Sequence, residues 1–239
     1  LGCNPATPTF KIFFMIYNIE LIDNHVVFVE NDLRLLLDTG SPISISNHST
    51  VSVFGETINA HQNIMGHTSI DDINQSIMNA NVDALIGADV LNKISFSISL
   101  SNKLMELNPV INHNEYDSFP LSNFMGIPII IAIINGKEIK FFLDTGAKIS
   151  YLNSNFIQGQ NAIRADQDFY PGFGDFETSI YQLKLELFNQ LKKYDFGVLP
   201  ESLELSLSMG GTNGIIGNNI LINFDLVIDN LQNQIFIKK

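Results

Sequence analysis

The sequence predicts a mainly β chain of two similar lobes related by a pseudo-two-fold axis, with a few short helices. Three observations carry that expectation. Val, Ile and Phe are frequent and Ala is scarce, a bias toward strands, while 45% of residues are hydrophobic and 16% charged, as in a globular chain with much buried sheet. The stretch Leu35-Leu36-Leu37-Asp38-Thr39-Gly40-Ser41 is written again as Phe141-Phe142-Leu143-Asp144-Thr145-Gly146-Ala147, each an apolar run that delivers an aspartate to a tight turn. A second motif also repeats: Ala84-Leu85-Ile86-Gly87-Ala88-Asp89-Val90-Leu91 matches Gly214-Ile215-Ile216-Gly217-Asn218-Asn219-Ile220-Leu221. The match continues without a gap, with Phe96, Ile98, Met105 and Leu107 opposite Leu226, Ile228, Ile235 and Ile237 at an offset of 130. A two-copy repeat of this length implies paired lobes whose equivalent residues can converge at the axis.

In chain order, residues 10–22 and 26–37 form β-rich runs separated by turn residues at Asp23-Asn24 and Glu30-Asn31-Asp32, and they carry the chain into Asp38. Residues 47–81 are polar and irregular, and Met65-Gly66 is a candidate hairpin flap tip or an ordinary surface turn. Residues 84–91 read as a buried strand that breaks at Gly87 and restarts as a short helix. Two further apolar segments finish the first lobe, residues 1–108. A polar stretch bracketed by Pro109 and Pro120 makes 109–123 the expected linker, and 124–239 the second lobe. There, Asn135-Gly136 between two apolar runs is a hairpin signal that leads straight to Asp144. The interval from aspartate to glycine motif is longer in the second copy and holds Tyr170, Gly172, Phe173 and Gly174, an aromatic, glycine-rich hairpin.

Composition excludes several functions. A net charge of −12 with 13 Lys plus Arg supplies no obvious basic surface for nucleic acid or for an anionic membrane. The longest apolar run, residues 124–134, is broken by Gly126 and Pro128 and is half the length of a membrane span. Cys3 is the only cysteine, so neither an intrachain disulfide nor a cysteine metal site can form. The Leu1-Gly2-Cys3 start is similar to a bacterial lipoprotein cleavage site, which leaves a secreted, periplasmic or lipid-anchored setting open beside a cytoplasmic one. His25, His48, His61, His67 and His113 form no helix-spaced pair with an acid; most are expected at the surface, and no metal or other cofactor is expected.

A charged side chain at the end of a buried strand is costly unless it is paired or used. Two adjacent carboxyls that share one proton supply both the base that activates water and the acid that protonates an amide nitrogen. The paired Asp-Thr-Gly turns, each followed by an apolar-apolar-Gly element, resemble the aspartic endopeptidases of the pepsin and retropepsin type, over nearly the whole chain as two tandem halves. The resemblance implies a bilobal acid-protease (retropepsin/pepsin-like) fold and a catalytic pair, Asp38 and Asp144. It implies that Thr39 and Thr145 hydrogen-bond across the lobe interface, that Gly40 and Gly146 let the turns approach, and that Gly87 and Gly217 let their strands pass beside them. The substrate would be a peptide or protein, and one chain would suffice as a monomer because it carries both aspartates.

The two turns differ at one position. Ser41 is expected to offer Asp38 a hydroxyl that Ala147 cannot offer Asp144, biasing the charge to Asp38. The first half also lacks the flap tyrosine of pepsins, so the residues 170–176 either form the main flap or pack a lobe surface. The rival to an active peptidase is a weak or inactive peptide-binding or regulatory protein on the same fold.

Overall fold

Leu35 to Leu37 and Phe141 to Leu143 are buried because each run becomes an inner strand with neighbours on both sides, where no face is left for polar residues. The computed structural model describes residues 14–239 except 65, 66 and 172. Cys3, Met65, Gly66 and Gly172 therefore lie outside the described residues, as does the start of the first expected strand.

The first half runs β1 (Met15–Ile22), β2 (His25–Glu30), β3 (Leu33–Leu37), β4 (Ile45–Ser46), β5 (Thr50–Val53), β6 (Glu56–Asn59), α1 (Ile70–Ser76), β7 (Ala84–Ile86), α2 (Ala88–Leu91), β8 (Ser95–Ser99) and β9 (Leu104–Leu107). The hairpin turns fall on residues that tolerate a left-handed backbone, Asp23-Asn24 and Asn31-Asp32, all with positive φ. Within 47–81 the chain makes the β5–β6 hairpin and α1. Ser69 caps α1 reciprocally with Asp72, and Ile70 and Ile73 are buried beneath it.

After β10 (Tyr116–Pro120) the second half runs β11 (Ser122–Phe124), β12 (Ile127–Ile134), β13 (Lys137–Leu143), β14 (Tyr151–Leu152), β15 (Arg164–Tyr170), β16 (Gly174–Leu187), β17 (Gln190–Phe196), α3 (Glu201–Met209), β18 (Gly214–Ile216), α4 (Asn218–Leu221), β19 (Asp225–Asp229) and β20 (Gln234–Lys238). β16 serves two sheets. Its first part pairs with β15 as a projecting ribbon, and its second part pairs with β17 and touches β12 in the body of the lobe. The region expected as a linker is partly a strand. β10 pairs with β20 over five residues, because its backbone can complete the edge of the sheet that joins the lobes.

That joining sheet locates the two-fold axis. β8 and β19 are repeat equivalents and pair antiparallel with each other, and Ser97 stands opposite Val227, its own counterpart at the repeat offset. Around this pair Phe96 faces Ile228 and Ile98 faces Leu226, so one apolar face is built twice from the same pattern. These residues join Phe28, Phe141 and Phe196 in a core cluster that runs through both halves. Among the described residues no helix is long and apolar enough to cross a membrane.

Candidate active site

The two aspartates are brought together by one construction made twice. β3 lies parallel to β7, and the Asp38 N–H donates to the Ile86 carbonyl at 3.0 Å. β13 lies parallel to β18, and the Asp144 N–H donates to the Ile216 carbonyl at 3.0 Å. Each turn therefore begins at the end of a ladder. The loop leaving each turn must then cross the end of the neighbouring strand, where Gly87 and Gly217 stand. A Cβ on Gly87 would lie 2.5 Å from the Ile43 carbonyl oxygen, and one on Gly217 would lie 2.6 Å from that of Ala147. Their amides are spoken for by serines, with the Gly87 N–H on Ser44 Oγ at 2.9 Å and the Gly217 N–H on Ser150 Oγ at 2.8 Å.

Across the axis the threonines interlock. The Thr39 N–H donates to Thr145 Oγ1 and the Thr145 N–H donates to Thr39 Oγ1, both at 3.0 Å. Each hydroxyl then donates to the strand of the opposite lobe, Thr39 to the Leu143 carbonyl at 2.7 Å and Thr145 to the Leu37 carbonyl at 2.8 Å. All four bonds are buried. Replacing Thr39 with Val removes a donor and an acceptor while keeping the shape. It leaves the Leu143 carbonyl and the Thr145 amide buried without partners, at about 1–3 kcal/mol each. Urea unfolding of Thr39→Val is expected to show a loss of about 2–6 kcal/mol. A loss below about 1 kcal/mol would mean that the lock carries no weight.

The glycines decide how close the carboxyls come. A Cβ on Gly40 would stand 2.2 Å from Asp144 Cγ, and one on Gly146 would stand 2.3 Å from Asp38 Cγ. Each carboxyl thus occupies the space left by the other turn's missing side chain. Asp38 Oδ1 accepts the N–H groups of Gly40 and Ser41, both at 2.9 Å, and Asp144 Oδ1 accepts that of Gly146 at 2.8 Å. The two carboxyls are close enough that each shifts the proton affinity of the other.

The Ser41 expectation needs correction. Its hydroxyl donates to the Ile43 carbonyl at 2.7 Å, bracing the loop that crosses Gly87, and only its backbone N–H reaches Asp38. The expected bias of charge to Asp38 loses its donor. Burial pushes both acids up. Asp144 rises to about 6 against the pull of the Gly146 amide, and Asp38 stands well above the usual carboxylate range through burial and then the charge of Asp144. One proton is therefore shared near neutral pH, as expected for like charges in contact.

The dyad forms the floor of a cleft with about 790 Å³ of empty space, part of it open to solvent. The first lobe contributes Leu36, Leu85 and Ile64 to its lining, together with Ile73 and Ile77 from α1 and its cap. The second lobe contributes Ile215 and Ala147 with Tyr151, and the β15–β16 ribbon adds Asp168, Phe169, Tyr170, Pro171 and Phe176. Phe169 packs against the first-lobe cluster around Ile73 and Leu85, so the ribbon of one lobe reaches the other. The β5–β6 hairpin turns the other way. Its Phe54 is buried in the core, stacked on Phe28.

No protein-family model matches the sequence, and no curated protein matches it. Among solved structures, the crystal structure of Basic 7S globulin from soybean superposes at a TM-score of 0.53 over 95% of this chain and 95% of that one, with 10% identity. The solution structure of simian foamy virus (mac) protease covers 39% of this chain and 90% of its own at a TM-score of 0.30 and 15% identity. A retropepsin-like aspartic protease from Rickettsia conorii covers 52% of this chain and 91% of its own at 0.37 and 20%. The soybean likeness spans both chains and is one of fold. The fold is mainly β, bilobal and retropepsin-like.

On this fold the sequence candidates divide. Tyr170 lines the cleft, whereas Phe173 is exposed at the ribbon tip against Phe176, and Gly174 begins β16 with a φ of +94°. His48, His61, His67 and His113 are exposed as expected, and His25 is the exception, being only 7% exposed and lining the cleft. Tyr151, whose hydroxyl donates to Asp168, also belongs to the site. Ser44 and Ser150 did carry a signal, since each stands six places after its aspartate. Tyr151, Asp168 and His25 carry none.

Proposed function

We propose that this chain is an aspartic endopeptidase that hydrolyses peptide bonds with a water held between Asp38 and Asp144. The observation that supports this best is the reciprocal seating of each carboxyl in the space above the other turn's glycine. The charged carboxylate of the singly protonated pair takes a proton from water while the other carboxyl gives its proton to the scissile carbonyl. The proton taken from water then passes to the departing amine, and the collapsing gem-diol returns a proton to the pair. The backbone amides of Gly40, Ser41 and Gly146 hold the carboxyls in place, and the threonine lock fixes the two turns relative to each other. The ribbon is the flap, and the long cleft under it takes an extended peptide with apolar side chains. Both aspartates belong to one chain, so the monomer is the working unit.

The rival is a peptide-binding or regulatory protein on the same fold. One observation favours it: a structure that matches over 95% of both chains is named a globulin. Digestion of a peptide library by the wild type, repeated with Asp38→Asn and Asp144→Asn, separates the two. Cleavage that both variants lose supports the peptidase, and binding with no cleavage at any pH supports the rival.

The raised acids set the pH dependence. The productive state has one proton on the pair, so kcat/KM is expected to fall on the acid side with a midpoint near 6. Stability runs the opposite way. A carboxyl raised in the folded state stabilises fully below its ordinary value of 3.8, and that contribution is lost as pH rises through about 6. Thermal midpoints measured across this range, relative to Asp144→Asn, are expected to decline as activity climbs. An acid limb near pH 3, or a midpoint that rises with pH relative to the variant, contradicts the assignment.

A further inference from the structure

We propose that the cleft contains a subsite for a basic side chain, Lys or Arg, formed by Asp168 on β15 and His25 at the start of β2. It rests on reading the cleft as a peptide site. Apart from the dyad and tyrosines, these are the ionisable side chains among the described residues that line the cleft. Most of the remaining wall is apolar.

Asp168 is held but not neutralised. Its Oδ1 accepts the Phe169 N–H at 2.9 Å and its Oδ2 accepts the Tyr151 hydroxyl, both uncharged donors. Among the described residues no Lys, Arg or His forms an ion pair with it. Lys148, whose charge acts on Asp168, has its ammonium 3.4 Å from Asp23 Oδ2 instead. Burial accordingly holds the Asp168 carboxyl above its usual range, the mark of a charge without a counter-ion.

His25 faces the same need from another element. Burial holds its ring below the ordinary value, and therefore neutral. Its Nδ1 is buried without a hydrogen-bond partner and, with the proton of the neutral ring on Nε2, is free to accept. A buried acceptor left unpaired is costly, so its presence in a cleft wall points to a partner that arrives with the ligand. Both residues line the cleft and sit in the field of the Asp23–Lys148 pair.

A carboxylate and a ring nitrogen that both accept call for a ligand group rich in N–H donors and positively charged, which an ammonium or a guanidinium is. An acidic side chain is repelled there, and an aliphatic one leaves the Asp168 charge without a counter-ion and the His25 acceptor unpaired. The alternative is that Asp168 only latches the flap to Tyr151.

The test uses reduced-amide peptides, which resist cleavage, carrying Lys, norleucine or Glu at each position flanking the scissile bond. Binding to the full chain is followed by fluorescence anisotropy near neutral pH. At one position the Lys peptide is expected to bind about tenfold more tightly than its norleucine counterpart, and the Glu peptide more weakly than either. Asp168→Asn, which keeps an oxygen for the Tyr151 hydroxyl, brings the Lys-to-norleucine ratio to about one. Tyr151→Phe, which keeps the charge, retains the Lys advantage. Equal affinities in the wild type, an advantage that survives in Asp168→Asn, or one lost equally in Tyr151→Phe overturns the subsite, as does failure of every peptide to bind. Cleavage of the ordinary amide peptides is scored separately. Selective binding without cleavage sinks the peptidase reading and leaves the subsite standing, whereas cleavage without selectivity does the reverse.

Discussion

Asp38→Asn and Asp144→Asn are each expected to lower kcat/KM by roughly 10²–10⁴-fold or more, while leaving the chain folded. An asparagine has the shape of the aspartate, and its carbonyl oxygen can still accept the N–H of Gly40 and Ser41 or of Gly146. What disappears is the proton sharing. The remaining carboxyl sits beside a neutral amide, so no pair is left in which one member takes a proton as the other gives one. The two carboxyls act as a unit, so each single variant is expected to cost about as much as the double one. Circular dichroism establishes that the fold persists, and initial rates on a cleaved peptide give the loss. Retention of more than about a tenth of wild-type activity by either variant would remove that aspartate from the mechanism.

The parts of this molecule that repeat are legible in its sequence, because a repeat turns one local pattern into a statement about distance. Asp38 and Asp144 lie 106 residues apart, as do the cross-bonded Thr39 and Thr145, and that shared spacing brings them to one axis. The Ser97–Val227 pair and the apolar face around it follow from the second spacing. Residues without a counterpart stay hidden. Asp168 lies on a ribbon with much of both faces in solvent, so its alternation is weak, and its partner Tyr151 comes from a two-residue strand. His25 differs from other turn-flanking residues only in what folds over it. β10 is polar because it is an edge strand, and its composition reads as a linker. The helix α1 does have a signature, the Ser69-to-Asp72 capping box before Ile70, Ile73 and Ile77, but seven residues are too few for periodicity to stand out from loop. The Ser41 expectation failed for a geometric reason. A side-chain hydroxyl near a carboxylate has competitors, and here the Ile43 carbonyl takes it at 2.7 Å.

Gly40→Ala and Gly146→Ala are expected to be the most damaging single-methyl changes in the chain. Neither glycine has a positive φ, so the cost is collision and not backbone preference. Alanine at 40 would put its methyl 2.2 Å from both Cγ and Oδ2 of Asp144, and alanine at 146 would put it 2.3 Å from Asp38 Cγ. Those carboxyls cannot swing away freely, because backbone amides hold each one in its own turn. The lobes must separate instead, which pulls on the four buried threonine bonds. A loss of about 3 kcal/mol or more in urea unfolding is expected for either variant, with cleavage at background. Gly136→Ala is the contrast, since nothing lies within 4 Å of its Cβ and only its φ of +75° opposes the change. The decisive arm is a second substitution. If the collision is with the opposite carboxyl, Gly40→Ala combined with Asp144→Ala recovers much of the lost stability, because the atoms in the way are gone, and it stays inactive. Simple additivity of the two changes would mean that the turns do not meet as described, since residues in direct contact are the ones that couple. The same cycle with Gly146→Ala and Asp38→Ala must give the same answer from the other lobe, because the two turns are seated in each other.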